Sequence, residues 1–584
     1  MASTTITAES LLAIDVGTVN TRAILFDVVE GQYRFIAAGM AKTTVNAPFV
    51  NIGEGIRRAI HHLQSILGRT FLNEGQTLII PSEPDGSGID TFALTVSGCA
   101  PLRVVTVGLL DEVSAESARH LAETVYAKVV DVVTLNSYRT QETRIDAIIR
   151  ARPELVIVAG GTDRGAEGSV MKMVEAVGLA CYLMPANMRP EVLYVGNEAV
   201  REQVQEALSS LVRLDVAQNI RPTSKIERLL PAQAKLIEMF RRNRNQKIMG
   251  LSEFDSWSGR KMLPTATAFQ RIIAFLRESY DTPKGVLGID IGASSTTLSL
   301  ALPDSKLLTV HSDLGLGEQI VNILKVSTPE EIIRWIPQPI SQDDVRDYIY
   351  NKAANPFSIP DTKEELFIEQ AIARQIMQQA TVRLRKRLPK KDLQAGKKIL
   401  PWVEPIIASG SVLTKAPKPG QSLLMLLDGL QPAGITNLVL DQNSITPSLG
   451  AAAEINPLLV VQVLESKAFL NLGIVIAPVG IARYGTPVLR VWMIQDDGSE
   501  RRFDVKYGTI EVIPTPMGKK VELRVLPLQK FDVGMGGAGV GGRLKVVGGM
   551  YGIIIDARGR PLAMHNDPVR RQELQNKWMW TLEA

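Results

Sequence analysis

Residues 11–28 read LLAIDVGTVNTRAILFDV, and residues 285–302 read GVLGIDIGASSTTLSLAL. In each stretch an apolar run leads into a turn of glycine and small polar side chains, and a second apolar run follows. This pattern predicts two β-hairpins with polar tips, here called the first and the second hairpin. Their likeness indicates a diverged internal duplication.

Strands and helices are predicted to alternate between the two hairpins. Apolar runs at 102–110, 127–135, 154–161 and 191–197 are separated by segments with helical spacing of apolar residues. Such alternation predicts βαβ crossovers and a parallel sheet, so the expected fold class is α/β.

A chain of 584 residues is too long for one hydrophobic core and should form several domains. From about residue 466 the sequence changes to short β-branched runs with many glycines and prolines. We expect a disordered tail at 1–10, a first domain at 11–280 with an inserted α/β region, a second domain at 281–465, and a β-rich C-terminal domain at 466–584.

The composition is that of an ordinary globular protein, with 45% hydrophobic residues and a formal charge of +4. That small charge gives no reason to expect a nucleic acid partner. The longest apolar stretch, 470–482, is interrupted by glycine and proline, so no membrane segment is expected. Two cysteines without paired spacing, Cys99 and Cys181, fit a reducing cytoplasm.

The hairpin tips carry the residue types that bind phosphate. Glycine lets backbone N–H groups approach closely, while hydroxyl, amide and cationic side chains add donors. The predicted nucleotide-binding residues of the hairpins are Gly17, Thr18, Asn20, Thr21, Arg22, Gly292, Ser294, Ser295 and Thr296. Asp15 and Asp290 are the predicted catalytic and magnesium-orienting carboxylates, because Mg²⁺ takes one or two carboxylates together with phosphate oxygens and waters.

Each motif alone also reads as an ordinary β-turn, since short glycine motifs recur by chance. The paired occurrence favours one nucleotide held between two facing loops. The glycine cluster at 534–542 is not followed by a Lys-Ser/Thr pair, so it predicts tight turns rather than a third phosphate loop. Asp163, at the end of a predicted strand, is read either as a cleft residue or as the cap of a turn.

The hairpins resemble the phosphate-one and phosphate-two motifs of the sugar kinase, actin and chaperone ATPase superfamily, and residues 406–417 resemble its adenosine motif, with Ser409, Gly410 and Ser411 at the turn. Within that superfamily residues 11–465 resemble the glutamate mutase L proteins, which are distinct from the mismatch-repair protein of similar name. The blocks that carry this likeness lie at 105–133, 154–165, 191–204, 250–259, 262–265 and 409–417. The resemblance implies duplicated actin-like, ribonuclease H-like domains with a cleft between them.

The sequence departs from that family's pattern at several site positions. Ala293 stands where the family has a second glycine, and Thr297 stands where it has an acid. A Gly-Thr-Gly-Gly turn is replaced by residues 408–411, and the usual lysine is Arg22. Nucleotide binding tolerates such changes better than hydrolysis does, because hydrolysis needs an accurately placed water and metal.

The resemblance implies an accessory protein that binds ATP and Mg²⁺ and acts on a protein partner, a cobalamin-dependent mutase, with slow ATP hydrolysis or none. Two alternatives stay open on the sequence. One is an ATP-coupled small-molecule kinase or hydantoinase-type enzyme, and the other is a degenerate nucleotide-binding scaffold. Whether the chain assembles with copies of itself is also open.

Overall fold

The computed structural model describes residues 9–280, 282–389, 393, 399–494, 499–528 and 530–584. Its strands are β1 (Leu11–Val16), β2 (Asn20–Val29), β3 (Gln32–Lys42), β4 (Thr91–Val96), β5 (Leu102–Gly108), β6 (Ala127–Thr134), β7 (Leu155–Val158), β8 (Glu191–Tyr194), β9 (Leu214–Val216), β10 (Leu263–Pro264), β11 (Gly285–Ile291), β12 (Thr296–Ala301), β13 (Lys306–His311), β14 (Val403–Ser409), β15 (Gly434–Leu440), β16 (Leu470–Ala477), β17 (Pro487–Ile494), β18 (Glu500–Lys506), β19 (Ile510–Ile513), β20 (Lys520–Pro527), β21 (Gly542–Val547) and β22 (Ile553–Asp556).

The α-helices are α1 (Ile52–Leu67), α2 (Glu116–Ala122), α3 (Gln141–Ala151), α4 (Glu167–Leu183), α5 (Arg201–Leu208), α6 (Leu230–Lys247), α7 (Leu251–Trp257), α8 (Thr265–Ser279), α9 (Pro329–Ile333), α10 (Gln342–Ala354), α11 (Lys363–Arg387), α12 (Ser411–Thr414), α13 (Pro419–Gly429), α14 (Thr446–Ala452), α15 (Pro457–Leu464) and α16 (Pro568–Thr581). Within the described part of the chain, none of these helices has the length and apolar character needed to cross a membrane.

The internal duplication is visible in the strand order of two sheets. The first sheet has the order β10-β4-β1-β2-β3, and the second sheet begins with the matching order β15-β14-β11-β12-β13. In both, the hairpin strands are antiparallel and the first hairpin strand pairs in parallel with the next strand of its half. This repeated order is that of the duplicated actin-like, ribonuclease H-like fold, and the predicted α/β class is confirmed.

The two halves meet through a shared apolar core. Residues of β1 and β2 lie in the same buried cluster as residues of β11, α8 and α14. Helices α8 and α14, which start the corresponding segments after β10 and β15, cross very closely, because a Cβ at Gly450 would lie only 1.9 Å from the Ala268 carbonyl oxygen. The absent side chain therefore sets the distance between the halves at this crossing.

The region inserted between β4 and β10 forms a third sheet. All of its pairings are parallel, and its order is β6-β5-β7-β8-β9. Its strands are almost wholly apolar and buried, as expected for a parallel sheet covered by helices on both faces. The βαβ alternation read from the sequence accounts for this unit.

The C-terminal region contributes to two sheets. Strands β16, β22 and β19 extend the second sheet beyond β15, whereas β17, β18, β20 and β21 form a fourth, antiparallel sheet. Side chains of β16, β22 and α16 belong to the large core of the second half. The division at residue 466 stays a prediction about folding units, and the second sheet runs across it. Most of the predicted tail, residues 1–8, lies outside the described residues.

Candidate nucleotide site

The tips of the two hairpins touch each other. The Thr18 hydroxyl donates a 2.7 Å hydrogen bond to the Ser294 hydroxyl. Both tips have the same turn geometry, since Gly17 N–H donates to the Asn20 carbonyl at 3.0 Å and Gly292 N–H donates to the Ser295 carbonyl at 2.9 Å. The fold thus brings the two sequence motifs to one place, as the duplication led us to expect.

The two predicted carboxylates occupy matching positions behind these tips. Asp15 lies on β1 between Arg22 of β2 and Thr95 of β4, and the Thr95 hydroxyl donates to it at 2.7 Å. Asp290 lies on β11 between Thr297 of β12 and Ser409 of β14. Arg22 is therefore the structural counterpart of Thr297, and Thr95 is that of Ser409.

Arg22 is the nearest positive charge to this pair of carboxylates. Its guanidinium lies 3.5 Å from Asp15, whose side chain is almost fully buried. A buried carboxylate needs such a counter-charge and hydrogen bonds to stay ionised. The Thr265 hydroxyl supplies a further hydrogen bond to Asp15 at 3.1 Å.

Asp290 has no such ion pair among the described residues, and its acidity differs accordingly. Burial and then the nearby charge of Asp15 raise the pKa of Asp290 to about 6, while Arg22 and the Ser409 hydroxyl oppose the rise. The influence of Asp15 means that the two carboxylates share one electrostatic environment. Asp290 is therefore a group that can hold or release a proton near neutral pH.

The adenosine motif lies directly against the second hairpin. Ser409 ends β14 and is buried, and Gly410 follows with φ of 101°. A Cβ at Gly410 would lie 2.3 Å from the Ile291 carbonyl oxygen, so only glycine lets the chain pass this close to β11. Ser411 then begins the short helix α12. The fold brings all three predicted motifs together.

Two of the predicted nucleotide-binding hydroxyls have protein partners in this structure. Thr21 is fully buried and shares a 2.9 Å hydrogen bond with Thr43, and the Thr296 hydroxyl donates to the Leu314 carbonyl at 2.8 Å. These bonds hold the hairpins to their neighbouring segments. A role of Thr21 and Thr296 in nucleotide binding stays a prediction.

The structure adds residues that the sequence reading did not single out. Asp441 follows β15, is fully buried, and accepts hydrogen bonds from the N–H groups of Ile445 and Thr446. Burial raises the pKa of Asp441, while these hydrogen bonds and Arg22 lower it. Its signal in the sequence was a carboxylate directly after an apolar strand, where α/β proteins place ligands.

Tyr126, at the end of the segment that leads into β6, comes close to the second hairpin. Burial raises the pKa of Tyr126 to about 12, and a hydrogen bond with Ser294 opposes this rise. The inserted region therefore contacts the same hydroxyl that Thr18 contacts. Asp163, by contrast, accepts a 2.8 Å hydrogen bond from Asn219 within the inserted region, as the turn-capping interpretation predicts.

The residues present fit a metal ion that is held mainly by a bound nucleotide. Among the described residues no cluster of three or more His, Cys, Asp and Glu side chains is arranged to bind a metal unaided. Mg²⁺ commonly takes one or two carboxylates and fills its other positions with phosphate oxygens and waters. Asp15 and Asp290 can supply those carboxylates once phosphate is present.

Comparisons with known proteins agree with the resemblance seen in the sequence. The model of the family described as MutL protein matches residues 11–468. A curated relative, Protein MutL of Clostridium tetanomorphum, is 22% identical over 354 residues, which cover 56% of this chain and 74% of the relative.

Solved structures with detectable similarity are more distant. A nucleotide-free acetone carboxylase is 11% identical, with a TM-score of 0.31, and the match covers 76% of this chain and 70% of that one. A diol dehydratase-reactivating factor in its nucleotide-free form is 11% identical, with a TM-score of 0.29, and the match covers 76% of this chain and 99% of that one.

Proposed function

Because the chain belongs to the MutL protein family, we propose that it is an ATP-binding accessory protein that changes conformation around Mg²⁺-ATP and acts through that motion on a protein partner. The resemblance to glutamate mutase L suggests a cobalamin-dependent mutase as that partner. The two buried, unpaired cysteines suit a reducing compartment such as the cytoplasm.

The observation that carries this proposal is the hydrogen bond between Thr18 and Ser294. It joins two hairpins that belong to two different sheets and that stand in front of matching carboxylates. Phosphate placed between the tips would replace one hydroxyl–hydroxyl bond with hydrogen bonds from both tips to a charged group, which are stronger. The ligand would thereby bias the distance between the two halves.

The protein groups have separate tasks in this proposal. Gly17 and Gly292 allow backbone N–H groups to approach phosphate, and Arg22 supplies a positive charge beside it. Asp15 and Asp290 would hold Mg²⁺, which neutralises phosphate charge when it is bound. The Ser409–Ser411 turn would receive the adenosine.

Calorimetric titration of the full chain with Mg²⁺-ATP tests the site. We expect Asp15→Asn and Asp290→Asn to weaken binding at least tenfold, because each removes a carboxylate next to the metal. Asp163→Asn is the matched control, since that carboxylate also follows a strand but is bonded to Asn219 in the inserted region. Unchanged affinity in both site variants would refute the assignment.

One observation favours the scaffold alternative in a limited sense. Thr297 offers a hydroxyl where the family has an acid, and Asp290 opposite it has a raised pKa. Both features favour holding a nucleotide over rapid hydrolysis. ATP that binds but is never hydrolysed in single-turnover assays would support a scaffold.

A further inference from the structure

The fourth sheet presents an arginine-rich face built around one tryptophan. Its strands alternate strictly between buried apolar and exposed polar side chains, so one face packs on the second sheet and the other meets solvent. On the solvent face Trp492 lies directly opposite Arg502 on one side and Arg524 on the other, and Arg524 lies opposite Arg543. One row across four strands thus reads Arg502, Trp492, Arg524, Arg543.

The charges of this face are predominantly positive. The outward basic side chains on its strands are Arg490, Arg502, Lys506, Lys520, Arg524, Arg543 and Lys545, and the outward acids are Glu500, Asp504 and Glu522. The turn at 495–498 carries two further acids in sequence and lies outside the described residues, so this comparison concerns the strands.

The arginines keep unused hydrogen-bonding capacity. Asp504 is shared by Arg490 and Arg502, Glu500 contacts Arg524 at 3.2 Å, and Arg543 lies 3.3 Å from Glu522. A guanidinium has five N–H donors, so pairing with one carboxylate oxygen leaves most of them available. These side chains remain partly exposed, with Arg543 at 65%.

We propose that this face docks an acidic surface of a protein partner. Tryptophan and arginine are the residue types that carry most binding energy at protein interfaces, and carboxylates form the strongest, bidentate pairs with guanidinium groups. Here the row fixes three guanidinium groups around an aromatic ring, so less side-chain entropy is lost on binding. The biological meaning rests on the proposed accessory function, but the physical evidence does not.

The geometry disfavours other occupants. The guanidinium groups of Arg524 and Arg490 lie 4.1 and 5.8 Å from the Trp492 ring centroid, so the ring has no free face on which a nucleic acid base could stack. Three carboxylates on the same face would repel nucleic acid phosphates and anionic lipid headgroups. A second copy presenting the same face would meet like charge.

The test uses the full chain and a fluorescein-labelled poly-glutamate peptide, read by anisotropy at about 0.15 M salt, where exposed charges are strongly screened. We expect the double variant Arg524→Glu and Arg543→Glu to weaken binding at least tenfold. The matched control is Arg150→Glu with Arg346→Glu, which makes the same charge change at two exposed arginines elsewhere, each paired with a local acid. Peptide binding lost equally in both double variants, or absent in the unchanged chain, would overturn the proposal.

Parallel titrations with oligo(dT) and with phosphatidylserine vesicles separate the other classes of ligand. Tighter binding of either than of the peptide, with the same dependence on Arg524, would also overturn the proposal. Arg524→Gln provides a milder variant if the reversal impairs folding, and near-UV circular dichroism checks this. Mg²⁺-ATP calorimetry on the same samples should be unaffected, so failure of the nucleotide site and failure of this surface are distinguishable.

Discussion

The hydroxyl of Thr18 and the hydroxyl of Ser294, 276 positions apart in the chain, are 2.7 Å apart in the folded protein. This bond is the direct polar link between the two hairpin tips. We expect Thr18→Val and Ser294→Ala each to weaken Mg²⁺-ATP binding by about tenfold or more, since a hydrogen bond to a charged group contributes about 1.5–3 kcal/mol.

A double-mutant cycle with calorimetry checks whether the two hydroxyls act on one ligand. If they contact the same phosphate group, the combined loss should differ from the sum of the single losses. Strictly additive effects would show that the two tips act independently. Ser295→Ala, at the neighbouring tip position, is the control for a general effect on the turn.

Stability should fall as pH rises through about 6 because of Asp290. Its folded-state pKa is raised from 3.8 to about 6, so between these values the unfolded chain has released the proton that the folded chain retains. The penalty is absent below pH 4, and it is fully present above pH 7. A shift of about two pKa units corresponds to roughly 3 kcal/mol.

Urea unfolding of the ligand-free chain at several pH values measures this effect. We expect Asp290→Asn to be more stable than the unchanged chain at pH 8 and similar to it at pH 4. Asp343→Asn, at a side chain that is 87% exposed, should leave the pH dependence unaltered. An unchanged pH profile in Asp290→Asn would show that another group is responsible.

Placing a carboxylate at Thr297 should make stability depend on magnesium and nucleotide. Thr297 is 5% exposed and lies directly opposite Asp290, so Thr297→Asp sets two buried carboxylates side by side. We expect a lower thermal midpoint without ligand and recovery with Mg²⁺-ATP, because bound metal removes the repulsion.

The same variant should hydrolyse ATP faster than the unchanged chain, for which we expect turnover below about 10 per second. Thr297→Asn, which matches the shape but adds no charge, is the control for both measurements. A faster unchanged chain, or a variant insensitive to ligand, would contradict the role assigned to this position.

Enlarging Gly450 should force the two halves apart. The added Cβ would lie 1.9 Å from the Ala268 carbonyl oxygen at the crossing of α8 and α14. We expect Gly450→Ala to lower the free energy of unfolding by about 1–3 kcal/mol through overpacking and to weaken Mg²⁺-ATP binding. Urea unfolding and calorimetry measure the two effects.

Gly168 provides the matched helical control for that substitution. A Cβ at this position in α4 meets no atom within 4 Å. We expect Gly168→Ala to stabilise the protein by about 0.5–1 kcal/mol, because alanine has the higher helix propensity. Equal effects of the two substitutions would show that the crossing tolerates a side chain.

Much of the site was predictable because its parts are local in sequence. Asp15, Gly17 and Thr18 lie within a few residues of one another, and so do Asp290, Gly292 and Ser294. The duplicated pattern therefore revealed both hairpins and their mutual approach. The alternating strands likewise predicted the parallel sheet of the inserted region.

Long-range contacts were not predictable in this way. Asp441 has no motif around it, and its importance follows from where β15 ends in the second sheet. Thr265 belongs to a short block whose spacing shows no chemistry, yet its hydroxyl bonds to Asp15 across 250 positions. The change of composition near residue 466 is real, but the pairing of β16 with β15 depends on register between distant segments.

The strand order of the second sheet also bears on synthesis of the protein. The first sheet is complete once β10 has been made, at residue 264, whereas the second sheet needs β19 and β22, which end at 513 and 556. On the ribosome, the N-terminal half can fold while most of the second half still emerges, and β15 meanwhile presents an open apolar edge. A delay in translation between residues 440 and 556 therefore prolongs the period in which the nascent chain depends on chaperones.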